Sequence, residues 1–295
     1  MGEEDVDWVG RVTSLNQWRR GGVRAPHKPL LLLYALGDFH RHDAARPLPF
    51  TAVEATVDAL LREFGPPRAT TSAYPFFYLK NDDGLWHLDG EGTLSASPGA
   101  LRKGNAVGAL SPGLATDLAA RPRLLPQLAR AILDANFEPS LHEDILAAVG
   151  LELEPVEAAA PRRRRDPEFR TKVLRAYERR CAFCGYDGAL GAVSVGLDAA
   201  HLRWWAADGP DSVENGVCLC ALHHKLLDKG VLGVTEDHRV AVSADFVGRG
   251  EAARRSVLEL AGREVIPPQG RYPRLEARHI RWHASEVFRD PARAA

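Results

Sequence analysis

The chain of 295 residues is 45% hydrophobic and 26% charged, a balance typical of a globular protein long enough for two domains. Its net charge of -1 conceals an asymmetry, because residues 1–160 carry a net charge of -6 and residues 161–295 one of +5. The acidic start and the short longest apolar run, Leu30 to Leu36, argue against a secretory signal or a membrane span, so we expect a cytoplasmic protein. The positive second half favours a nucleic-acid partner.

Helical patterns dominate the beginning of the chain. The apolar spacing predicts a first helix over Val9 to Trp18, a buried second helix opened by Pro29 and a third helix over residues 51–64. Free backbone amides at a helix amino terminus favour a phosphate. The basic residues just before the second helix are therefore candidate DNA contacts: Arg24, His27 and Lys28.

The stretch TTSAYPFFYLKNDDGLWHL contains two aromatic-rich runs around an Asp-Asp-Gly turn, a pattern that predicts a β-hairpin. The simplest interpretation of Tyr74 to Tyr78 is a core strand. Because alternate residues of a strand face inward, Phe76 and Tyr78 are expected in the core whether or not Tyr74 is. Helices are predicted again near 114–121 and over 122–149.

The combination of RAPHKPLLLLYAL and SAYPFFYLKNDDGLWHL resembles the DNA sulfur-binding domain of McrA-like enzymes that restrict phosphorothioate-modified DNA. The resemblance covers roughly residues 6 to 150. It implies that Tyr74 and Pro75 form the wall of an apolar notch, which suits sulfur because sulfur is larger, softer and less hydrated than a phosphate oxygen. The same resemblance implies contacts to flanking phosphates and bases from Arg24, His27, Lys28, Arg102 and Lys103.

A change of composition near residues 151–167 predicts the domain boundary. Acidic, Ala-rich sequence gives way there to four consecutive arginines. We expect a DNA-reading domain over 1–152, a linker over 153–166 and a second domain over 167–295. The arginine run is either a solvated basic segment or a contact to the phosphate backbone. Asp166 and Pro167 then predict the start of a basic amphipathic helix that runs to about Arg180.

Cysteine spacing predicts a structural zinc site. All four cysteines lie between Cys181 and Cys220, which favours metal over disulfides in a reducing compartment. Cys181 and Cys184 form one Cys-x-x-Cys pair, and Cys220 with His223 supplies two further ligands at the same offset. The alternatives are incidental buried cysteines, or Cys218 as the fourth ligand in place of His223.

The neighbouring histidines His223 and His224 raise the question whether they serve one metal or two. Successive residues of a helix are rotated by about 100°. His224 therefore points away from the zinc side, and it lies four residues before Asp228, so both project from one face. An imidazole and a carboxylate suit a divalent cation such as Mg2+, Mn2+ or Ni2+ that keeps positions open for substrate and water.

Two further motifs precede this pair. VSVGLDAAHLRWW predicts a strand ending in His201, and DSVENGVCLC a loop and strand carrying Asn215. A lone strand histidine is more often structural, and an Asn-Gly pair is usually a turn. In chain order, however, the motifs between Phe169 and Val234 resemble the HNH endonucleases, the ββα-metal nucleases, and specifically their McrA-like subgroup.

That resemblance implies a fold and a mechanism. His201 would be the general base that activates water, Asn215 would hold its loop, and the cation would sit on His224 and Asp228. Many family members have an acidic residue directly before the base, where this chain has Ala200, so Asp198 is only an additional candidate ligand. His283, in the tail, is expected in a capping helix rather than in catalysis.

These motifs together predict an α+β chain of two domains, with a reader joined to a zinc-stapled nuclease. The expected function is hydrolysis of phosphodiester bonds near phosphorothioates in double-stranded DNA. The alternatives are an HNH endonuclease directed to modified bases or to a plain sequence, and a nuclease-dead DNA-binding protein. Since each chain has one predicted active site, cutting both strands requires a homodimer or two visits.

Overall fold

A computed structural model describes residues 6–17, 19–20, 23–24, 26–82, 84–152 and 166–294. The chain divides into two compact units, Met1–Arg162 and Arg163–Ala295. Both mix helices with small sheets, which confirms the α+β fold class with two domains. The linker residues 153–165, including the arginine run, lie outside the described residues. Within the described ranges, no helix is both long and apolar enough to cross a bilayer.

The first unit, here called the reader unit after the function that the sequence predicts for it, is mainly helical. Its helices are α1 (Trp8–Thr13), α2 (His27–His42), α3 (Phe50–Phe64), α4 (Ala73–Tyr78), α5 (Pro98–Lys103), α6 (Pro112–Ala120), α7 (Leu124–Asn136) and α8 (Pro139–Val149). Its strands are β1 (Arg19–Arg20), β2 (Val23–Arg24), β3 (Leu48–Pro49), β4 (Trp86–Asp89) and β5 (Val107–Leu110). The last three form an antiparallel sheet in the order β3-β5-β4, with Leu48 opposite Gly108 and Trp86 opposite Leu110.

Helix α2 is the centre of the reader unit. Its residues Leu30 to Leu33 and Leu36 are fully buried, so the helix is apolar on all sides rather than amphipathic. It packs against α3, α4, α7 and α8. The long apolar run found in the sequence is therefore a core helix, with the polar residues His27 and Lys28 at its amino-terminal end.

The predicted hairpin is wrong in its first strand, because Tyr74 to Tyr78 belong to helix α4. Strand β4 pairs with β5 instead. Pro75 has no amide hydrogen for a sheet ladder but is tolerated in the first turn of a helix, and the i, i+4 rings of Tyr74 and Tyr78 pack with centroids 4.6 Å apart. Phe76 is buried as expected, whereas Tyr78 is half-buried.

Other boundaries in the reader unit also differ from expectation. The helix predicted over 122–149 is two helices, since α7 ends at Asn136 and Pro139 opens α8. Proline is favoured in the first turn of a helix and breaks the interior of one. The first helix ends at Thr13, before the leucine at 15, while the third helix begins at Phe50 close to its predicted start.

The second unit, here called the nuclease unit after the function that the sequence predicts for it, contains short strands around one central hairpin. Its strands are β6 (Ala189–Leu190), β7 (Val193–Ser194), β8 (Leu197–His201), β9 (Gly216–Cys220), β10 (Leu232–Val234) and β11 (Val240–Val242). Its helices are α9 (Phe169–Ala176), α10 (Ala221–Asp228), α11 (Glu251–Ser256) and α12 (Ala277–Glu286). Strands β6 and β7, β8 and β9, and β10 and β11 each pair antiparallel.

Strands β8 and β9 and helix α10 form a continuous ββα element. The register pairs His201 with Gly216 and Leu197 with Cys220, so the end of one strand meets the start of the other. Helix α9 packs across both strands, and a Cβ added at Gly216 would lie only 2.5 Å from Val173 Cγ2. The glycine of the Asn-Gly pair is therefore required because α9 approaches closely, and not because the chain turns there.

Helix α9 is shorter than predicted. It begins at Phe169, because the Asp166 carboxylate accepts the Glu168 amide hydrogen at 2.8 Å in a turn before the helix. It ends at Ala176, and Glu178 and Arg179 follow with φ angles of 55° and 54°, a left-handed conformation that cannot continue the helix. These two residues turn the chain directly into the cysteine pair.

Candidate metal and catalytic sites

A tight turn presents the two cysteines of the first motif. The carbonyl of Cys181 accepts the Gly185 amide hydrogen at 2.8 Å, and Gly185 has a φ of 78°, which a residue with a Cβ rarely adopts. Cys220 is the last residue of β9, and His223 lies one turn into α10. Cys184 and Cys220, 36 residues apart in the chain, are thus brought together at the open end of the β8–β9 hairpin, where Leu197 pairs with Cys220.

The four side chains of Cys181, Cys184, Cys220 and His223 meet, with one ligand atom of each lying within 4.8 Å of the others. His223 Nδ1 is 3.4 Å from Cys181 Sγ and 3.2 Å from Cys220 Sγ. Cys218 is fully buried among apolar residues of the core and is not part of this group. Three sulfurs and one imidazole are a donor set typical of tetrahedral structural zinc.

The electrostatics of this Cys3His cluster suit a divalent cation. Hydrogen bonds from the Cys184 and Cys220 thiols lower the pKa of Cys181, and the resulting thiolate raises the pKa of Cys184. Burial opposes the charged form of His223, but Cys181 and Cys220 raise its pKa to about 10. A Cys181 thiolate beside a protonated His223 imidazole is thus favoured without metal, whereas a dication would offset several thiolates at once.

A hydrogen bond from its other ring nitrogen orients His223 for metal binding. Its Nε2–H donates to the backbone carbonyl of Ser256 at 2.8 Å, at the end of α11. That bond fixes the tautomer in which Nδ1 carries the lone pair toward the sulfurs.

His224 points to a second group of side chains. Its Nδ1 lies 3.5 Å from Asp198 Oδ2, and its Nε2 lies 3.3 Å from Asp228 Oδ2. The Asp228 side chain is fully buried, that of His224 is 17% exposed and that of Asp198 is 51% exposed. The two adjacent histidines therefore belong to separate clusters, and Asp198 lies next to His224 although the residue directly before His201 is Ala200.

The pKa of His224 follows from its two carboxylates. Burial alone would lower it, but Asp228 and Asp198 raise it to about 10. Burial likewise opposes ionisation of Asp198, but the hydrogen bond from His224 lowers its pKa. Each ring nitrogen of His224 thus faces one carboxylate, and an imidazole paired with a carboxylate suits a divalent cation, which would replace the proton that His224 carries in the metal-free protein.

His201 is held at the end of β8. Its ring stacks on Phe169 with centroids 4.2 Å apart and planes 9° apart, and its Nε2 lies 2.8 Å from Asp211 Oδ1. The side chains of His201 and Asp211 are 3% and 9% exposed. Among the residues that the structure describes, His201 Nδ1 has no hydrogen-bond partner.

Asn215 is fully buried and ties together the two ends of the loop after β8. Its Oδ1 accepts the Arg203 amide hydrogen at 2.8 Å, and its Nδ2 donates to the carbonyls of Arg203 at 2.9 Å and Pro210 at 3.0 Å. Every polar atom of the side-chain amide is thereby used in holding backbone.

Sequence reasoning missed two charged neighbours of these groups. Asp211 was passed over as part of a loop, and Arg170 as one of several basic residues of α9. The Arg170 guanidinium donates to the Leu197 carbonyl at 2.8 Å, and its Nε lies 3.3 Å from Asp198 Oδ1. Its position one residue into an amphipathic helix that covers β8 was the available signal.

His283 lies in α12, in the capping helix expected for it. The ring is buried and its Nε2–H donates to the Leu227 carbonyl at 3.1 Å, while burial lowers its pKa to about 4. The bond from His283 supports the end of α10. The neighbouring Trp282 packs against Trp204, in the loop after β8, with ring centroids 5.8 Å apart.

A cavity of about 190 Å³ lies at the amino-terminal end of α2 in the reader unit. It is lined by Asn16, Gln17, His27, Lys28, Tyr74, Tyr78 and Asn81. The predicted contacts His27, Lys28 and Tyr74 are thus brought together, whereas Pro75 is buried beside them and does not line the cavity. The side chain of Arg24 lies outside the described residues.

The charges around this cavity are largely neutralised. Lys28 is buried in an ion pair with Asp82, 2.5 Å from Nζ to Oδ2, and also donates to the Asn16 carbonyl. Burial and the charge of Arg68 lower the pKa of His27 to about 4, so its imidazole is neutral near pH 7. The cavity therefore offers two tyrosine rings and neutral hydrogen-bonding groups.

The remaining predicted contacts lie at the end of α5. The Arg102 guanidinium forms a two-pronged ion pair with Glu54, with distances of 2.9 and 2.7 Å, while Lys103 is exposed. A DNA phosphate would have to compete with Glu54 for Arg102.

Comparisons with known proteins match both units. The family described as ScoMcrA-like, DNA sulfur-binding domain, matches residues 6–154, and the HNH endonuclease family HNH_2 matches residues 181–235. No curated protein matches the chain.

Among solved structures, the sulfur-binding domain of ScoMcrA with phosphorothioated DNA is 22% identical over 50% of this chain and 97% of its own, with a TM-score of 0.42. The corresponding SprMcrA domain is 27% identical over 49% and 93%, also with a TM-score of 0.42. The restriction endonuclease ScoMcrA is 22% identical over 51% of this chain but only 36% of its own, with a TM-score of 0.40. Because the first family match covers just over half of the chain, the protein belongs to the family with a ScoMcrA-like DNA sulfur-binding domain, and it also carries an HNH endonuclease domain.

Proposed function

We propose that the protein is a type IV restriction endonuclease that binds phosphorothioate-modified double-stranded DNA through its reader unit and hydrolyses nearby phosphodiester bonds. The observation that carries the proposal is the pairing, in one chain, of a sulfur-binding family match with a ββα element bearing His201, Asn215 and His224. We assign the reader to residues 1–152, the linker to 153–166 and the nuclease to 167–295.

The reader cavity supports discrimination between sulfur and oxygen. A phosphorothioate sulfur holds its hydration shell weakly, so it loses little on entering a site walled by Tyr74 and Tyr78. A phosphate oxygen loses more, because Lys28 is already paired with Asp82 and the imidazole of His27 is uncharged near neutral pH. Arg24, Lys103 and, after leaving Glu54, Arg102 are proposed to bind flanking phosphates.

The nuclease unit supplies the groups that hydrolysis requires. His201 is proposed to take the proton from the attacking water, a task suited to imidazole near neutral pH. Asn215 keeps the strand end and the following loop in place around this base. A divalent cation such as Mg2+ or Mn2+ at His224 would supply charge stabilisation for the scissile phosphate and the leaving oxygen.

The two ring nitrogens of His224 limit how that cation is held. A neutral imidazole has one lone pair, and its other nitrogen carries a hydrogen. Since each nitrogen of His224 faces one carboxylate, one of Asp198 and Asp228 shares the cation and the other orients the ring. The Asp198 side chain is half-exposed and accessible to DNA, whereas that of Asp228 is buried. We therefore assign cation binding to Asp198 and orientation of the ring to Asp228.

Matched duplexes that differ only in one phosphorothioate linkage test the proposed function. With Mg2+ or Mn2+, the modified duplex should be cut and the unmodified one spared. Equal cutting of both would assign the reader to plain sequence, cutting of a base-modified duplex instead would assign it to bases, and binding without cutting would leave a nuclease-dead DNA-binding protein.

Tyr74→Ala should narrow the difference in affinity between the two duplexes, by about tenfold for a loss of 1–1.5 kcal/mol of ring contact. Tyr186→Ala is the matched control, since Tyr186 is 43% exposed in the nuclease unit and Tyr74 is 42% exposed. Parallel losses on both duplexes with Tyr74→Ala would make this ring merely structural. Filter-binding titrations without divalent metal measure the affinities for both duplexes in the absence of cleavage.

Cation binding should release a proton, because the raised pKa of His224, about 10, keeps the metal-free imidazole charged below that pH. Affinity for Mn2+ should therefore rise with pH, by about tenfold per unit between pH 6 and 8, as the competing proton becomes scarcer. Electron paramagnetic resonance of free Mn2+ measures this affinity.

Substitutions at the two carboxylates check the assignment of the ligands. His224→Ala should abolish the pH-dependent Mn2+ site, and Asp198→Asn should weaken it about tenfold or more, whereas Asp228→Asn should weaken it less. If Asp228→Asn weakened Mn2+ binding more than Asp198→Asn, the assigned roles of the two carboxylates would be exchanged. A pH-independent affinity in the unaltered protein would contradict the assignment of His224.

A further inference from the structure

A buried carboxylate beside the proposed base has no assigned role. Asp211 lies in the loop after β8, and each of its oxygens has a defined partner. Its Oδ1 lies 2.8 Å from His201 Nε2, and its Oδ2 accepts the Asp166 amide hydrogen at 2.7 Å. Because the Asp211 side chain is only 9% exposed, these contacts with the protein, and not water, determine its orientation.

The contact with Asp211 determines which nitrogen of His201 can act. An ionised carboxylate only accepts hydrogen bonds, so the neutral ring must carry its hydrogen on Nε2. The lone pair is then on Nδ1, the nitrogen with no partner among the described residues. Stacking on Phe169, with planes 9° apart, fixes the plane of the ring, and Asp211 fixes its rotation within that plane.

Asn215 places Asp211 as well as the strand end. Its side-chain amide donates to the carbonyl of Pro210, the residue directly before Asp211, at 3.0 Å. It also binds both backbone groups of Arg203, two residues after His201. The buried amide thus holds the base and the carboxylate at opposite ends of the same loop.

We propose that Asp211 is the positioning residue of the His201 base, setting its tautomer and orientation and stabilising the imidazolium that forms. This inference rests on the proposed role of His201. In the step, Nδ1 takes a proton from water as the water oxygen bonds to phosphorus. The electrons of the broken phosphorus–oxygen bond remain on the leaving oxygen, which is protonated by solvent. Asp211 stays ionised throughout and accepts the Nε2–H bond.

The first test reads the tautomer in the protein with His201 and Asp211 both unaltered. In the full-length protein labelled with 15N-histidine, long-range proton–nitrogen correlations show which ring nitrogen carries hydrogen when the ring is neutral. His201→Gln identifies the resonances. Hydrogen on Nε2 of His201 is the expected result, and hydrogen on Nδ1 would overturn the proposal.

The second test separates positioning from folding. Asp211→Asn removes the charge and offers His201 either an acceptor or a donor, so mixed tautomers and a single-turnover rate lower by about 10²-fold or more are expected. Affinity for the modified duplex without metal should change less than twofold. Asp237→Asn is the matched control, because Asp237 is an exposed carboxylate in the nuclease unit.

A merely structural role for Asp211, through its bond to the Asp166 amide, would give a different pattern. The melting temperature and DNA affinity would then fall together with the rate, while the tautomer of the remaining folded protein would be unchanged. That outcome, or full activity of Asp211→Asn, would overturn the proposal. If His201→Ala retained full activity, the role of His201 itself would fail, and the tautomer measurement would still decide whether Asp211 sets the ring.

Discussion

Replacing His201 with alanine is expected to lower the single-turnover cleavage rate by about 10²- to 10⁴-fold at saturating modified DNA. The reason is the loss of the imidazole at the end of β8, which contacts Asp211 and Phe169. Binding should be preserved, since recognition is assigned to the reader unit. The measurement is the rate of product formation with enzyme in excess, beside a metal-free binding titration.

Burial of His201 makes controls for folding necessary. Alanine leaves a cavity beside Phe169, and loss of buried ring contacts can cost several kcal/mol of stability. The melting temperature should therefore be measured for His201→Ala, and His201→Gln, which fills more of the space, should be equally slow. His40→Ala, at an exposed histidine of α2, is the control with unchanged rate. Cleavage at the normal rate by folded His201→Gln would remove His201 as the base.

The grouping of Cys181, Cys184, Cys220 and His223, apart from His224, was predictable because local spacing places these side chains. One turn of backbone separates Cys181 from Cys184, and one helical turn separates Cys220 from His223. The rotation of about 100° per helix residue turns His224 away from the cysteines, and its Nε2 instead lies 3.3 Å from Asp228 Oδ2. Periodicity within a single element was sufficient for these inferences.

Helix α4 was not predicted because the type of its residues misled the interpretation. Aromatic residues favour strands, and a helix of six residues is too short for a 3.6-residue period to be recognised. Pro75 was the neglected signal, since proline argues against an internal strand. The consequence is functional, because a helix brings Tyr74 and Tyr78 to the same cavity, which a strand prediction did not anticipate.

Contacts between distant parts of the chain were also beyond local patterns. Lys28 was expected at a phosphate, but Asp82, 54 residues later, neutralises it. Arg102 similarly pairs with Glu54. The His201–Asp211 contact spans ten residues, but the intervening loop has no period from which its path follows. Charge assignments for the reader therefore needed the tertiary structure.

Removing zinc is expected to destabilise the nuclease unit by about 5 kcal/mol or more, less than the roughly 10–16 kcal/mol of metal binding in zinc-finger peptides because this unit also has an apolar core. The proposed ion joins Cys181 and Cys184, after α9, to Cys220 and His223, where β9 leads into α10. Without it, the Cys181 thiolate makes ionisation of Cys184 unfavourable, and the start of α10 loses its link to the cysteine pair. Hydrogen exchange of the full chain after chelation should rise in β8, β9 and α10 and not in α2.

Two matched cysteine variants decide which sulfurs hold the ion. Cys220→Ser should lower the zinc content, measured by emission spectrometry, from one ion per chain to well below one, and should reproduce the exchange pattern of the chelated protein. Cys218→Ser should keep one zinc, because Cys218 is fully buried in the core outside the cluster, although the buried hydroxyl costs stability. The opposite result would exchange the two cysteines as ligands. Since α10 carries His224 as well as His223, zinc loss should also weaken Mn2+ binding, which links the structural site to the catalytic one through a single helix.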